Sequence, residues 1–123
     1  MRIEAKTLRW LFIATALLAI IGVREAVAHA ILFESTPVRN SVINGPSVAV
    51  KLRFNVRVDA NRSRLALVYP GGSVHTLQIK SLQPADIVSA DVSDLIPGSY
   101  DLKWQVLASD GHITQGDIPF AVK

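Results

Sequence analysis

Apolar and polar residues alternate along several stretches of the chain after residue 28. In the clearest stretch, every second residue is apolar; these residues are Val48, Val50, Leu52, Phe54, Val56 and Val58. The stretch Tyr100–Ala108 repeats the pattern, and shorter apolar segments occupy residues 31–33, 64–69, 74–79, 87–92 and 113–122. A period of two is typical of a strand with one buried face, and no window favours the 3.6-residue period of an amphipathic helix. The pattern therefore predicts seven short strands.

Turn-forming residues separate these segments. They are Asn44-Gly45-Pro46, Pro70-Gly71-Gly72, Pro84, Pro97-Gly98 and Asp110-Gly111. Glycine and proline in such clusters interrupt strands because they favour turn conformations. Seven strands at this spacing within residues 29–123 predict one all-β domain, a seven-stranded Greek-key β-sandwich of immunoglobulin-like type.

The first 28 residues follow the pattern of a secretory signal peptide. A positive region ends near Arg9, an apolar run covers Trp10–Val23, and Ala26-Val27-Ala28 provides a small-x-small cleavage site. As a helix, the apolar run would be roughly 21 Å long, which is short for a bilayer core of about 30 Å. We therefore expect residues 1–28 to direct export, with a retained membrane anchor as the alternative.

Two cleavage positions satisfy the small-x-small rule. Cleavage after Ala28 makes His29 the first residue of the mature protein, whereas cleavage after Ala30 removes that histidine. The rule alone leaves both positions open.

Composition and charge exclude several classes of function. The chain has 123 residues and no cysteine, which excludes a disulfide scaffold, a thiolate zinc site and a cysteine nucleophile. The formal net charge of +3 falls to about +1 after residue 28, where nine basic residues face eight acidic ones. The basic residues Arg53, Arg57, Arg62 and Arg64 have only Phe54 among them, and alternation places that ring in the core. We therefore expect no nucleic-acid binding.

The candidate chemistry lies in His29, Asp110 and His112. Asp110-Gly111-His112 falls between two predicted strands, at the tip of a hairpin, where an ordinary Asp-Gly turn beside an exposed histidine is the simpler interpretation. If seven strands each reverse direction, however, the first strand starts at the end of the sandwich where the sixth strand finishes. The predicted topology therefore brings His29 to the Asp110–His112 loop.

A free N-terminal histidine is a chelating ligand. Its α-amine and its imidazole Nδ1 can close a ring on a metal, the His112 imidazole adds a third nitrogen, and Asp110 supplies a carboxylate oxygen. This donor set suits Cu(II), which stands at the top of the divalent affinity order, and Zn(II) or Ni(II) would bind more weakly. The only methionine is Met1, so the mature chain lacks the soft sulfur ligands that Cu(I) prefers. The predicted metal is cupric copper.

Three stretches of the chain resemble the CopC family of periplasmic copper-resistance proteins. The start His29-Ala-Ile-Leu-Phe-Glu-Ser-Thr-Pro37 resembles that family's opening, and Leu52-Arg-Phe-Asn55 resembles its second-strand motif. The strongest match is Gly98-Ser-Tyr-Asp-Leu-Lys-Trp-Gln-Val-Leu-Ala-Ser-Asp-Gly-His112, continuing to Gly116 and to Phe120-Ala-Val122. The resemblance spans nearly all of residues 29–123, and it favours cleavage after Ala28 because family members begin at this histidine.

The resemblance implies a β-sandwich that acts as a periplasmic copper carrier or buffer, and from the candidate residues we expect no enzymatic turnover. It implies Cu(II) bound by the N-terminal histidine and the Asp-x-His loop, and a CopD-type inner-membrane copper protein as a partner. Two departures limit it: the chain has no methionine-rich loop for Cu(I), and Val56 stands where some members have a glutamate. The alternatives are a copper-dependent oxidase or oxygenase using the same site, and an immunoglobulin-like interaction domain without metal. No motif identifies a substrate.

Overall fold

The computed structural model describes residues 29–123. The segment 1–28, with its predicted signal peptide and cleavage site, lies outside the described residues. Within residues 29–123 there is no helix with the length and apolar character needed to cross a bilayer. The strands are β1 (Leu32–Thr36), β2 (Val42–Ile43), β3 (Val48–Phe54), β4 (Val58–Val68), β5 (Val74–Leu77), β6 (Ile87–Val92), β7 (Gly98–Ala108) and β8 (Ile113–Val122).

The strands form two sheets that pack as a β-sandwich. One sheet has the order β1-β3-β6 and the other the order β2-β8-β7-β4-β5. All the pairings are antiparallel except that of β2 with β8. The all-β sandwich predicted from the alternating pattern is therefore confirmed.

The described residues contain eight strands rather than seven. The additional strand β2 has two residues, Val42 and Ile43, which pair in parallel with Ala121 and Val122. Two residues are too few for an alternation of apolar and polar positions, so the sequence pattern could not reveal this strand.

The stretch 48–58 was predicted to be one strand, and this prediction is wrong. Strand β3 ends at Phe54, residues 55–57 cross between the sheets, and β4 begins at Val58 and continues to Val68. Strand β4 thus also includes residues 64–68 of the segment 64–69, which was predicted as a separate strand. The alternation continues through the crossing because Val56 and Val58 also pack against the core. The sequence pattern therefore does not show that the chain passes from one sheet to the other.

The core lies between the sheets, and alternate residues of the central strands fill it. Phe54 from one sheet and Trp104 from the other meet edge to face, with ring centroids 5.3 Å apart. Near the start of β7, the buried hydroxyl of Tyr100 donates a hydrogen bond of 2.7 Å to the Ile96 carbonyl oxygen. A tyrosine hydroxyl bonded to the backbone a few residues upstream is the tyrosine corner of immunoglobulin-like sandwiches.

One end of the sandwich gathers the segments that contain the candidate site. The β7–β8 hairpin turns at this end, and the crossing from β3 to β4 runs beside it, since the Ser109 amide donates to the Arg57 carbonyl oxygen at 3.0 Å. Strand β1 begins there too, because Leu32 pairs with Phe54 just before the crossing. The start of the domain therefore lies at the hairpin end.

Candidate metal site

The loop Ser109–Gly111 is a three-residue hairpin turn between β7 and β8. The Gly111 amide donates to the Ala108 carbonyl oxygen at 2.9 Å, and the Ala108 amide donates to the His112 carbonyl oxygen at 2.8 Å. Gly111 has a φ of 88°, in the left-handed region that glycine enters without steric cost. Turns of this length commonly end in a left-handed glycine, so the Asp-Gly pair sets the geometry that presents Asp110 and His112.

Asp110 is bound to His112 through both carboxylate oxygens. Oδ1 accepts a hydrogen bond of 3.0 Å from the His112 amide, and Oδ2 lies 3.3 Å from the His112 Nδ1. The hydrogen bond from the His112 amide is the main reason that the pKa of Asp110 is below its ordinary value. Desolvation opposes it with the next largest effect, and electrostatic interactions with His112 and His29 lower the pKa by smaller amounts. Asp110 is therefore an ionised acceptor near neutral pH.

The segment around His29 is anchored immediately after the histidine. Ala30 is only 3% exposed and belongs to the core, whereas His29 itself is exposed. The Ile31 amide donates to Asn55 Oδ1 at 2.6 Å, and the Asn55 amide donates to the Ile31 carbonyl oxygen at 3.0 Å. His29 thus projects from a backbone that is fixed one and two residues later.

The two anchored segments bring His29 against His112. The imidazole centroids are 5.5 Å apart and the rings are inclined at 77°. With metal–nitrogen bonds of about 2 Å, two imidazoles on one ion have centroids roughly 4 to 6 Å apart, so the observed separation is compatible with a shared ion. The side chain of His112 is half exposed, at 51%, which leaves the pair open to solvent.

Asp110, the third predicted ligand, does not form a three-residue metal site with His29 and His112 in the described structure. Among residues 29–123, no three side chains of His, Cys, Asp or Glu converge in a group that could hold an ion. Both carboxylate oxygens of Asp110 contact His112. The structure thus brings the two histidines together, with the carboxylate beside one of them.

The remaining histidine is distant from this pair. His75 lies on β5 opposite Leu67, which pairs with Leu102, six residues along β7 from the hairpin, or about 20 Å at the usual rise of a strand. The exposed ring of His75 packs on Tyr69, with centroids 4.4 Å apart. His75 therefore does not contribute to the candidate site.

The structure also shows the surroundings of Val56 and Glu34. Val56, at the position where some CopC proteins have a glutamate, is partly buried against the core and offers no polar donor. Glu34 is exposed and forms an ion pair of 2.9 Å with Arg53 on the outer face of the β1-β3-β6 sheet. Neither residue adds a ligand to the histidine pair.

The sequence pattern gave no role to Asn55, which holds the backbone of the N-terminal segment. Its only signal was its place at the end of the stretch Leu52–Asn55, which resembles the second-strand motif of the CopC family. The hydrogen bond of its side chain joins positions far apart in the chain, and periodicity contains no information on such a pair.

The fold and the paired histidines define an immunoglobulin-like sandwich with a polar tip built from both ends of the domain. Residues 32–123 match the CopC domain family, and the chain belongs to this family. The match begins three residues after His29.

Several relatives are similar over most of their length. The chain is 31% identical to Protein YobA of Escherichia coli strain K12, over 97% of this chain and 99% of the relative. It is 29% identical to Copper resistance protein C of Pseudomonas syringae pv. tomato, over 80% of this chain and 83% of the relative. The crystal structure of CopC from Methylosinus trichosporium OB3b superposes with a TM-score of 0.70 at 28% identity, covering 77% of this chain and 94% of that one.

Proposed function

We propose that the chain is a periplasmic Cu(II)-binding protein that carries or buffers copper in copper homeostasis or resistance. The observation that carries the proposal is the contact of the His29 and His112 rings at 5.5 Å. Membership of the CopC family supports copper as the ion, since one relative is named a copper resistance protein. Copper is here a cargo rather than a resident cofactor.

The proposed ligands are the imidazoles of His29 and His112, the α-amine of His29 and the carboxylate of Asp110. Cleavage after Ala28 would free the amine, which then closes a chelate ring with the His29 imidazole. An aspartate carboxyl is ionised near neutral pH, and the proposal requires one Asp110 oxygen to turn from His112 towards the ion. Nitrogen and oxygen donors without sulfur favour Cu(II) over Cu(I).

The site lies at an exposed tip, which suits transfer of the ion rather than its permanent retention. Half of the His112 side chain is accessible, so a partner's ligands can approach the ion while the sandwich stays folded. We propose a CopD-type inner-membrane copper protein as that partner. The resemblance of the histidine start and the Asp-x-His loop to the CopC pattern supports this choice.

A titration of the exported protein with Cu(II), in competition with a chelator, tests the proposal. We expect one ion per chain, and we expect His29→Ala and His112→Ala each to weaken binding by more than about 100-fold, because loss of a ligand exceeds the 10–100-fold effect of an outer-shell change. His75→Ala is the matched control and should bind as the unaltered protein does.

Two outcomes would contradict the proposal. Normal binding by the His29 and His112 variants would leave an immunoglobulin-like interaction domain without this site. Oxidation of a defined substrate that depends on a reductant and on copper would instead favour the oxidase alternative.

A further inference from the structure

The exposed His29 side chain owes its position to the residues that follow it. Ala30 inserts its methyl group into the core, but a single methyl group fixes a point and not a direction. The direction of the chain at His29 depends on the next peptide groups, and these are held by Ile31.

Asn55 forms hydrogen bonds with both the amide and the carbonyl oxygen of Ile31. Its side-chain oxygen accepts the Ile31 amide at 2.6 Å, and its own amide donates to the Ile31 carbonyl oxygen at 3.0 Å. The pair resembles one rung of a sheet in which a side-chain oxygen replaces a backbone carbonyl. It lies beyond the end of the regular pairing of β1 with β3, whose first partners are Leu32 and Phe54.

The position of Asn55 links the two halves of the site. Asn55 begins the crossing from β3 to β4, and Arg57 in the same crossing accepts a hydrogen bond from Ser109 of the hairpin loop. The crossing thus contacts the N-terminal segment through Asn55 and the loop that presents His112 through Arg57.

We propose that Asn55 is a positioning residue that aligns His29 with His112 before the ion arrives. The part of this inference that concerns copper rests on the proposed function. Preorganised ligands bind more tightly because less conformational freedom is lost on binding. Without the side-chain oxygen, the first residues would sample more directions, and the chelating histidine would have to be ordered during binding.

Two substitutions at Asn55 distinguish the effect of its side-chain oxygen, which accepts the hydrogen bond, from the effect of its size. Asn55→Leu keeps a similar volume and removes the oxygen, whereas Asn55→Asp keeps an acceptor for the Ile31 amide. Asn44→Leu is the matched control, because Asn44 is also exposed and follows β2, which pairs with the end of β8 far from the hairpin.

The first measurement needs no metal. In NMR spectra of the exported protein, we expect Asn55→Leu to speed hydrogen exchange at the Ile31 amide and to abolish the nuclear Overhauser effect between the His29 and His112 rings. The Asn55→Asp and Asn44→Leu variants should retain both signals. Retention of both signals in Asn55→Leu, with the dispersion of a folded protein, would overturn the inference.

The second measurement is the affinity for Cu(II), with the electron paramagnetic resonance spectrum of the saturated protein as a check on the ligands. We expect Asn55→Leu to bind Cu(II) at least tenfold more weakly than the unaltered protein, with an unchanged spectrum. We expect the affinity of Asn55→Asp to be within threefold of that of the unaltered protein, or higher. Equal losses in both variants, or a changed spectrum, would overturn a positioning role. If the unaltered protein binds no Cu(II), the proposed function fails, and the NMR comparison still decides whether Asn55 aligns the histidines.

Discussion

Trp104 of β7 covers Gly116 of β8, its direct partner across the sheet. A β-carbon added at Gly116 would lie 2.6 Å from the nearest atom of the indole ring, closer than van der Waals contact allows. The same indole meets Phe54 from the opposite sheet. The absence of a side chain at Gly116 thus gives the bulky ring its place between the sheets.

Substitution Gly116→Ala should destabilise the domain. Alanine in a strand gains about 0.5–1 kcal/mol over glycine from backbone entropy, but overpacking against a buried ring costs about 1–3 kcal/mol. Because the indole is rigid and nearly buried, we expect a net loss of roughly 1–2 kcal/mol in the free energy of unfolding, measured by urea denaturation. In a Trp104→Leu background the penalty should shrink or change sign; an equal penalty there would show that the ring is not its cause.

Ser63 completes the hydrogen bonding of an irregular segment of β4. The register of β4 against β7 shifts between Asp59 and Arg64, and the buried Ser63 hydroxyl donates to the Asp59 carbonyl oxygen at 2.6 Å and accepts from the Leu107 amide at 3.3 Å. Ser63→Ala removes both bonds, so we expect a loss of about 1–3 kcal/mol in the free energy of unfolding.

Denaturation of Ser63→Ala should be compared with that of Ser47→Ala. Ser47 is exposed, and a surface change of this kind stays within about 0.5 kcal/mol. A Ser63 variant as stable as the control would contradict the bridging role of its hydroxyl.

The ion pair of Glu34 and Arg53 should make a pH-dependent contribution to the stability of the domain. The hydrogen bond and the charge of Arg53 lower the pKa of Glu34, and Lys51 contributes a smaller effect in the same direction. Since the folded pKa lies below the unfolded value of about 4.3, the stabilisation is present above pH 4.3 and is lost as the pH falls through the lowered folded value.

An NMR titration of the Glu34 carboxyl carbon checks this expectation. Arg53→Met should raise the pKa of Glu34 towards the ordinary glutamate value, and Lys51→Met should raise it less. Equal titration curves in the unaltered protein and in Arg53→Met would mean that the pair does not persist in solution.

Much of the fold follows from the sequence because burial on one face leaves a period of two. That period predicted the all-β sandwich and the burial of Phe54. The same signal failed at the crossing after Phe54, where Val56 continues the alternation although the chain leaves one sheet for the other. It also missed β2, whose two residues are defined by backbone pairing with β8.

The approach of His29 to His112 was predictable from the number of strands and the reversal of direction between them. The topology of alternating strands indicated that the first strand starts near the last hairpin, and His29 and His112 do lie in contact. The role of Asn55 could not be predicted, because its side chain bonds to the backbone of Ile31, and such a contact depends on the path of the crossing rather than on a residue pattern.

The proposed function requires His29 to hold Cu(II) through both its imidazole and its α-amine. The most direct test compares Cu(II) affinity for protein that begins at His29, verified by mass, with that for protein carrying one additional residue before His29. The extension keeps the imidazole and converts the amine to an amide, so we predict a loss of affinity comparable to that of His29→Ala. Unchanged affinity in the extended protein would contradict the chelate.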